Sequence, residues 1–305
     1  MKVDLLVKNV RVFNAYTKEF IQADVAVEGG LFLYIGTDEV DKLEPVQVVD
    51  GQGRYMIPGL IDIHMHIESS MATPQTFTQA LVKNGVTTVV AEPHEIGNVL
   101  GVEGIAALMA AAKGCPADVM FAMPSSIPST SMEMETVGYE FALPELKEMM
   151  EMDGVICLGE VMNYIDVVYR PDSKTNQFIQ TVKKTKPHFR IEGHCPRLVG
   201  LELARFIHAG VDSDHTEQTL ARMKERIANG MFVQLQDKSI LPDILAHLME
   251  SGQYEHISLV TDDVMPDKLA HQGHLNVLVK KAITRGFSPE VAVYTSTFTP
   301  AGSSA

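Results

Sequence analysis

His64 and His66, one residue apart in MIPGLIDIHMHIESS, close the apolar run that begins at Tyr55. Alternate residues of a β-strand point the same way, so both imidazoles can reach one metal ion. Four more residues of ligand type each close a later apolar run: Glu160 in VICLGEVMNY, His194 in RIEGHCPR, His215 in GVDSDHTEQ and Asp262 in ISLVTDDVMP. Four imidazoles and two carboxylates are too many for one tetrahedral ion and suit two divalent ions, with Glu160 offering one oxygen to each. Nitrogen and oxygen donors without thiolate fit manganese, iron(II) or zinc, and affinity order does not choose among them. Water on such an ion has its pKa lowered from about 15.7 to roughly 7. Asp262 is then placed to take a proton from the attacking water and pass one to a leaving nitrogen. The expected chemistry is hydrolysis.

Each residue alone has an ordinary explanation. A buried histidine is commonly a hydrogen-bonded core residue. Asp214 or Thr216 could cap a helix that starts beside His215, and Asp262-Asp263 could be turn chemistry ahead of Pro266. Asp262 is preferred to Asp263 only because it lies nearer the strand end. The joint placement carries the reading, because six ligand-type residues fall at the ends of five different predicted strands. Other machinery is missing from the sequence: it has no G-x-S-x-G elbow, no G-x-x-x-x-G-K-[ST] loop and no G-x-G-x-x-G fingerprint. The H-x-E and P-C-x-x-C signature of small zinc base deaminases is also absent.

Residues so far apart in sequence meet only where strand ends converge. Apolar strands are expected near 57–63, 86–91, 117–123, 154–161, 187–193, 211–214, 231–236 and 256–261. Helices fall between them, among them 101–113, 197–209, 216–229, 239–251 and one near 273–285. This alternation implies a parallel sheet, and eight units over this span match a (β/α)₈ barrel, a TIM-like architecture of about 250 residues. A doubly wound open sheet is the alternative, but it rarely carries ligands on so many strands. Before the barrel, residues 2–55 alternate short β-rich runs with turns such as Glu28-Gly29-Gly30. The expected organisation is a small β-domain over 1–56, a metal-dependent barrel over 57–300 and a tail over 301–305.

The end of the second strand, Glu92-Pro93-His94-Glu95, also faces the predicted mouth. Glu92, His94 and Glu95 are candidates for binding a substrate or an extra ion, against the reading of a plain helix start. Ser125, with Ser126 and Ser129, could offer hydroxyls from the loop after the third strand. The methionines of TSMEMET and KEMMEMDG read as packing.

Composition removes several classes. With 25 Lys+Arg against 39 Asp+Glu the net charge is -14, which repels phosphate backbones and anionic lipid. Neither nucleic acid nor membrane is expected as a partner. No stretch reads as long and apolar enough to span a bilayer, and MKVDLLVKNVRVFN lacks signal-peptide features, so a cytoplasmic location is expected. Cys115, Cys157 and Cys195 form no C-x-x-C pair and read as core thiols.

The run PGLIDIHMHIE after a short β-domain, with later Glu, His, His and Asp at strand ends, resembles the amidohydrolase superfamily. Finer motifs resemble its adenine deaminase branch: AEPHEIGNVLG (91–101), PSSIPSTSMEMETVG (124–138), GEVMNY (159–164), EGHCPRL (192–198), SDHTEQT (213–219) and TDDVMPDKLAHQGHLN (261–276). The resemblance covers nearly all of residues 2–300. It implies an amidohydrolase-type barrel that converts adenine and water to hypoxanthine and ammonia, with a small-molecule purine as substrate and a homo-oligomeric state. The implied centre holds two metal ions, usually manganese or iron, on His64, His66, Glu160, His194, His215 and Asp262. Glu160 stands where many superfamily members carry a carboxylated lysine, which separates this chain from the dihydroorotase type. The branch continues well past the equivalent of Thr299-Pro300, so a C-terminally truncated chain is expected, with an incomplete β-domain and an uncovered edge at VDLLVKNV. Two other readings stand beside this one: another hydrolase of cyclic amides or amidines, and a catalytically silent fragment.

Overall fold

A β-rich run at the start of the chain, with buried Val3, Leu6, Val10 and Val12 among polar residues, forms a half-buried strand, and the next runs pair with it. In the computed structural model, which describes residues 1–130 and 133–303, this sheet belongs to the first of two compact units. That unit is Met1–Pro58 with Ser288–Tyr294, so residues 288–294 group with the β-region and not with the barrel span. Its strands are β1 (Lys2–Asn14), β2 (Glu19–Glu28), β3 (Leu31–Gly36), β4 (Glu44–Asp50) and β5 (Tyr55–Met56), in the order β3-β2-β1-β4, with β5 also on β1. β1 pairs antiparallel with β2 and parallel with β4 and β5. The VDLLVKNV strand expected at an open edge is therefore internal, because β4 returns alongside it. The edges are β3 and β4, which expose Leu31, Phe32, Val46 and Val48. Val10, Val12, Ala23 and Val25 form one buried cluster of this sheet, and Val3, Leu6, Ala26 and Val40 another.

The second unit, Gly59–Phe287 with residues 295–303, contains the barrel. Its strands are β6 (Leu60–His66), β7 (Val86–Ala91), β8 (Asp118–Met123), β9 (Val155–Val161), β10 (Arg190–Gly193), β11 (Ser213–Asp214), β12 (Phe232–Leu235), β13 (Ile257–Leu259) and the short β14 (Asp262–Asp263). They form two parallel sheets, β10-β9-β8-β7-β6-β14 and β11-β12-β13. β13 and β14 are consecutive stretches of the eighth strand, so the pairing of β14 with β6 brings the end of the barrel back to its beginning. Between β10 and β11, Asp212 N–H donates to Ile191 O at 2.8 Å. Ile63, Val90, Ala122 and Cys157, from four of these strands, form a buried cluster with Val260 of the link between β13 and β14. Cys157 and Cys195 are buried as expected, whereas Cys115 is only half-buried.

Helices follow the strands, and several start where the sequence supplies a cap. Thr73, Ser173 and Thr219 accept the N–H of Thr76, Asn176 and Arg222, which fixes the starts of Pro74–Lys83, Lys174–Thr185 and Leu220–Ala228. The helix expected from 216 begins four residues later, because Thr219 is the cap. Asp214 and Thr216 are thereby free for other work. The helix expected at 101–113 extends back to His94, as His94–Ala112, with a break at Gly101 (φ 64°) that suits a residue lacking Cβ. These 19 residues are long and apolar enough to cross a bilayer, contrary to the reading of the sequence, but the break and the charged start set them among the barrel helices. Met149 and Met150 pack as expected and Met134 is exposed; Ser131 and Met132, within the TSMEMET run, lie outside the described residues.

Candidate metal centre

Every candidate ligand sits at the C-terminal end of a barrel strand, where side chains from distant segments converge. Glu160, at the end of β9 and buried, is the hub. Its Oε2 lies 2.9 Å from His194 Nδ1 and 3.2 Å from His215 Nε2, and those two nitrogens are 3.1 Å apart. Its Oε1 lies 3.6 Å from His66 Nε2, and Asp262 Oδ1 lies 3.5 Å from the same nitrogen and 3.9 Å from His64 Nε2. A metal with bonds of about 2.0–2.1 Å separates neighbouring donors by about 3.0–3.4 Å, so both sets are near the spacing of a coordination sphere. His64 Nε2 and His215 Nδ1 are buried without a hydrogen-bond partner among the described residues. Such orphaned nitrogens are costly unless something else meets them. Two triads can each hold an ion and share Glu160: His64, His66 and Glu160, and Glu160, His194 and His215.

The supporting residues went unread in the sequence, although some sit at the same two-residue spacing as the ligands. Glu192, two before His194, accepts from His64 Nδ1 at 3.1 Å and is itself held by Gln234 Nε2 at 2.7 Å. His66 Nδ1 donates to Glu92 O at 3.0 Å. In both rings this leaves Nε2 as the nitrogen facing the centre. Asp62, two before His64, accepts from the Thr261 hydroxyl at 2.7 Å and from its N–H at 3.2 Å, which ties β6 to the residue preceding Asp262. Asp262 itself has φ 60°, and this left-handed turn aims its carboxylate back at His64 and His66. Asp263 is instead exposed and accepts from the Ser69 hydroxyl. Asp262 is thus the nearer of the two aspartates to His64 and His66, although Asp263 also forms a possible ligand group with His66 and Asp262.

The charges are mutually dependent. Burial would raise the Glu160 carboxyl, but hydrogen bonds from His194 and His215 outweigh it and hold the group well below the usual range. Burial likewise opposes ionisation of Asp262, and His66 followed by His64 overcome it to keep its carboxyl low. For His64, burial disfavours the cation, yet Glu192, Glu160 and Asp262 carry its pKa up to about 9. The centre is a cage of carboxylates compensated by imidazoles, an environment suited to a cation.

The four candidate substrate residues fall into two groups. Glu92, just past β7, is buried, and its Oε1 is 3.8 Å from His94 Nδ1, which lies 3.6 Å from Glu160 Oε1. Burial pushes the Glu92 carboxyl upward. Glu95 Oε1 approaches His66 Nδ1 at 3.4 Å and His94 Nε2 at 3.9 Å, so this trio stands beside the centre. Ser125 differs: its hydroxyl donates to Glu160 O at 2.6 Å, which spends its proton on bracing β9. Gly159 makes room for Glu92, since a Cβ there would lie 1.5 Å from Glu92 Oε2. Gly159→Ala is expected to force Glu92 aside and destabilise the chain by about 1–3 kcal/mol. Chemical denaturation would read this as a lower midpoint at unchanged slope; an unchanged midpoint would show that the pocket yields freely.

A parallel β/α barrel with histidines and carboxylates gathered at its strand ends defines a barrel protein with a candidate divalent-metal centre. The chain belongs to the amidohydrolase family, whose model matches residues 55–303. It is 51% identical over 302 residues to adenine deaminase 2 of Shouchella clausii, covering 99% of this chain and 52% of that protein. It is 48% identical over 301 residues to adenine deaminase of Clostridium perfringens, again covering 99% of this chain and 52% of the relative. The chain thus spans about half the length of the curated relatives it matches. Among solved structures, a β-aspartyl dipeptidase of Fervidobacterium islandicum superposes with TM-score 0.70 at 17% identity, covering 98% of this chain and 86% of that one. An enamidase superposes with TM-score 0.69 at 18% identity, covering 98% and 82%. At such identities these likenesses concern the fold alone.

Proposed function

We propose that this chain hydrolyses adenine to hypoxanthine and ammonia at a binuclear centre formed by His64, His66, Glu160, His194, His215 and Asp262. The observation that carries the reading is the position of Glu160, with one oxygen towards His66 and the other towards His194 and His215. The orphaned, buried His64 Nε2 supports it, because the donor set fits a divalent ion better than it satisfies itself. The relatives' names supply the substrate class. Manganese or iron(II) is the proposed metal, with zinc also compatible with nitrogen and oxygen donors. The acidic chain, net charge -14, suits a small neutral base in the cytoplasm better than a phosphorylated substrate.

When bound, the two ions supply Lewis acidity and a nucleophilic water at neutral pH. The remaining work belongs to side chains. Asp262, kept ionised by His66 and His64, accepts a proton as water oxygen bonds to C6 of the purine. It then gives that proton to the exocyclic nitrogen as the C6–N bond breaks, and the remaining water proton passes from the new C6 oxygen to ring N1, so one water is consumed and one ammonia leaves. Glu192 and the Glu92 carbonyl fix the ring orientation of His64 and His66 through this exchange. Glu92, His94 and Glu95 form the wall beside Glu160 that would meet the purine ring. The buried Glu92 carboxyl, biased towards its neutral form, can donate a hydrogen bond to a ring nitrogen.

The test is ammonia release from adenine by the chain after loading with Mn2+. Turnover that depends on added metal is the expected result. A chain that binds two Mn2+ ions yet leaves adenine intact while cleaving a cyclic amide would replace the substrate and keep the centre.

A further inference from the structure

His194 and His215 lie on opposite sides of a seam. β10 ends the six-stranded sheet and β11 begins the three-stranded one, so no shared ladder sets the distance between their ends. β11 is two residues long. Yet His194 Nδ1 and His215 Nε2 stand 3.1 Å apart, both against Glu160 Oε2. Asp212 and Ile191 join the two strands below this level, where Asp212 N–H donates to Ile191 O at 2.8 Å and Ile191 N–H donates to Asp212 Oδ2 at 2.9 Å, but at the level of the histidines side chains make the tie.

Asp214 and Arg226 are placed to do so. Both are fully buried, and Arg226 Nε donates to Asp214 Oδ2 at 2.5 Å. Cys195, the neighbour of His194, is gripped at both backbone groups: its N–H donates to Asp214 Oδ1 at 3.0 Å, and its carbonyl accepts from Arg226 Nη2 at 2.7 Å. On the other side of the seam, Asp214 directly precedes His215 and accepts from the Thr216 hydroxyl at 2.9 Å and Gln218 Nε2 at 2.8 Å. Its carboxylate is therefore saturated with donors, as a buried charge must be. The pair ties the residue after His194 to the residue before His215 through a planar guanidinium that can serve two acceptors at once.

We propose that the Asp214–Arg226 pair is a positioning element for the second metal subsite: it locks His194 and His215 across the sheet seam at the spacing at which they share an ion with Glu160. This rests on the binuclear reading above. The first subsite has its own tie, since Asp62 and Thr261 join β6 to the eighth strand at the other seam. The two ties are separate, so loss of one loosens one ion.

The experiment is Mn2+ titration of the metal-free chain, with free Mn2+ read by electron paramagnetic resonance, for wild type, Arg226→Lys and Asp214→Asn. Lysine retains the charge opposite Asp214 but cannot also hold the Cys195 carbonyl; asparagine retains the shape of Asp214 without its charge. Each variant is expected to bind its second ion about tenfold or more weakly, within the range seen when the partner of a metal ligand is lost, while the first ion binds as in wild type. Excess Mn2+ should restore kcat with KM for adenine unmoved. Parallel weakening of both ions together with a lower Tm would overturn the proposal in favour of a purely structural pair, as would two ions bound normally in both variants. A wild-type chain that holds fewer than two ions would overturn the binuclear reading as well, which distinguishes the two failures.

Discussion

Asp262→Asn is expected to lower kcat for adenine by about 10²–10⁴-fold, the usual contribution of a positioned general acid and base. Asparagine is the informative replacement because it tolerates the left-handed backbone that Asp262 adopts at φ 60°, so the turn at the end of the eighth strand survives. It also retains an oxygen towards His64 and His66, at the place where Asp262 Oδ1 lies 3.9 and 3.5 Å from their Nε2 atoms. What it loses is the capacity to accept and return a proton. The loss should therefore fall on kcat with little change in KM, and metal content should stay at the wild-type value. Steady-state ammonia release and elemental analysis on the same preparation decide the matter. A variant with near wild-type kcat would remove Asp262 from the proton path and return Asp263 to consideration.

Glu160→Gln is expected to be at least as damaging, for a different reason. Both oxygens of Glu160 are engaged, one beside His66 and His94 and the other beside His194 and His215. Glutamine leaves one side facing an amide N–H₂, which is no ligand. The second ion should be lost and turnover should fall by on the order of 10³-fold or more, with excess metal failing to rescue it. The metal-free variant should also unfold more readily, since removing one partner of a buried charge set costs about 3–5 kcal/mol. Glu160→Gln and Asp262→Asn thus separate two roles: the first should change metal stoichiometry and the second should not. Equal metal content in both would contradict the role of Glu160 as the shared ligand.

Several features were legible because their signals are local. His64-x-His66 is a two-residue repeat on one strand, and Glu160, His194, His215 and Asp262 each close a short apolar run, which is a local signal for a buried strand. The eight strands consequently lie close to where the sequence places them. The partners of these residues carry no such mark. Asp62 meets Thr261 across 199 positions and Glu192 meets His64 across 128, and each partner is an unremarkable acid or hydroxyl until the barrel brings it near. The helix expected from 216 starts instead at Leu220 behind Thr219, because a cap is decided by which side chain finds a free N–H and not by residue type alone. VDLLVKNV lies inside the sheet, and not at an edge, because a parallel return by β4 requires a crossover that no turn residue announces.

By itself the sequence determined which residues could ligate metal and that each would stand at a strand end, since residue type and two-residue periodicity survive without any tertiary contact. Tertiary structure alone decided that those ends meet around Glu160, that Asp262 Oδ1 lies 3.9 Å from His64 and 3.5 Å from His66, and that His94 and Glu92 stand beside the centre while Ser125 turns to the Glu160 carbonyl. The physical reason is that convergence depends on closing the ring of strands, and closure here passes through two seams. At each, a buried aspartate supplies bonds between segments far apart in the chain, Asp62 to Thr261 and Asp214 to Cys195.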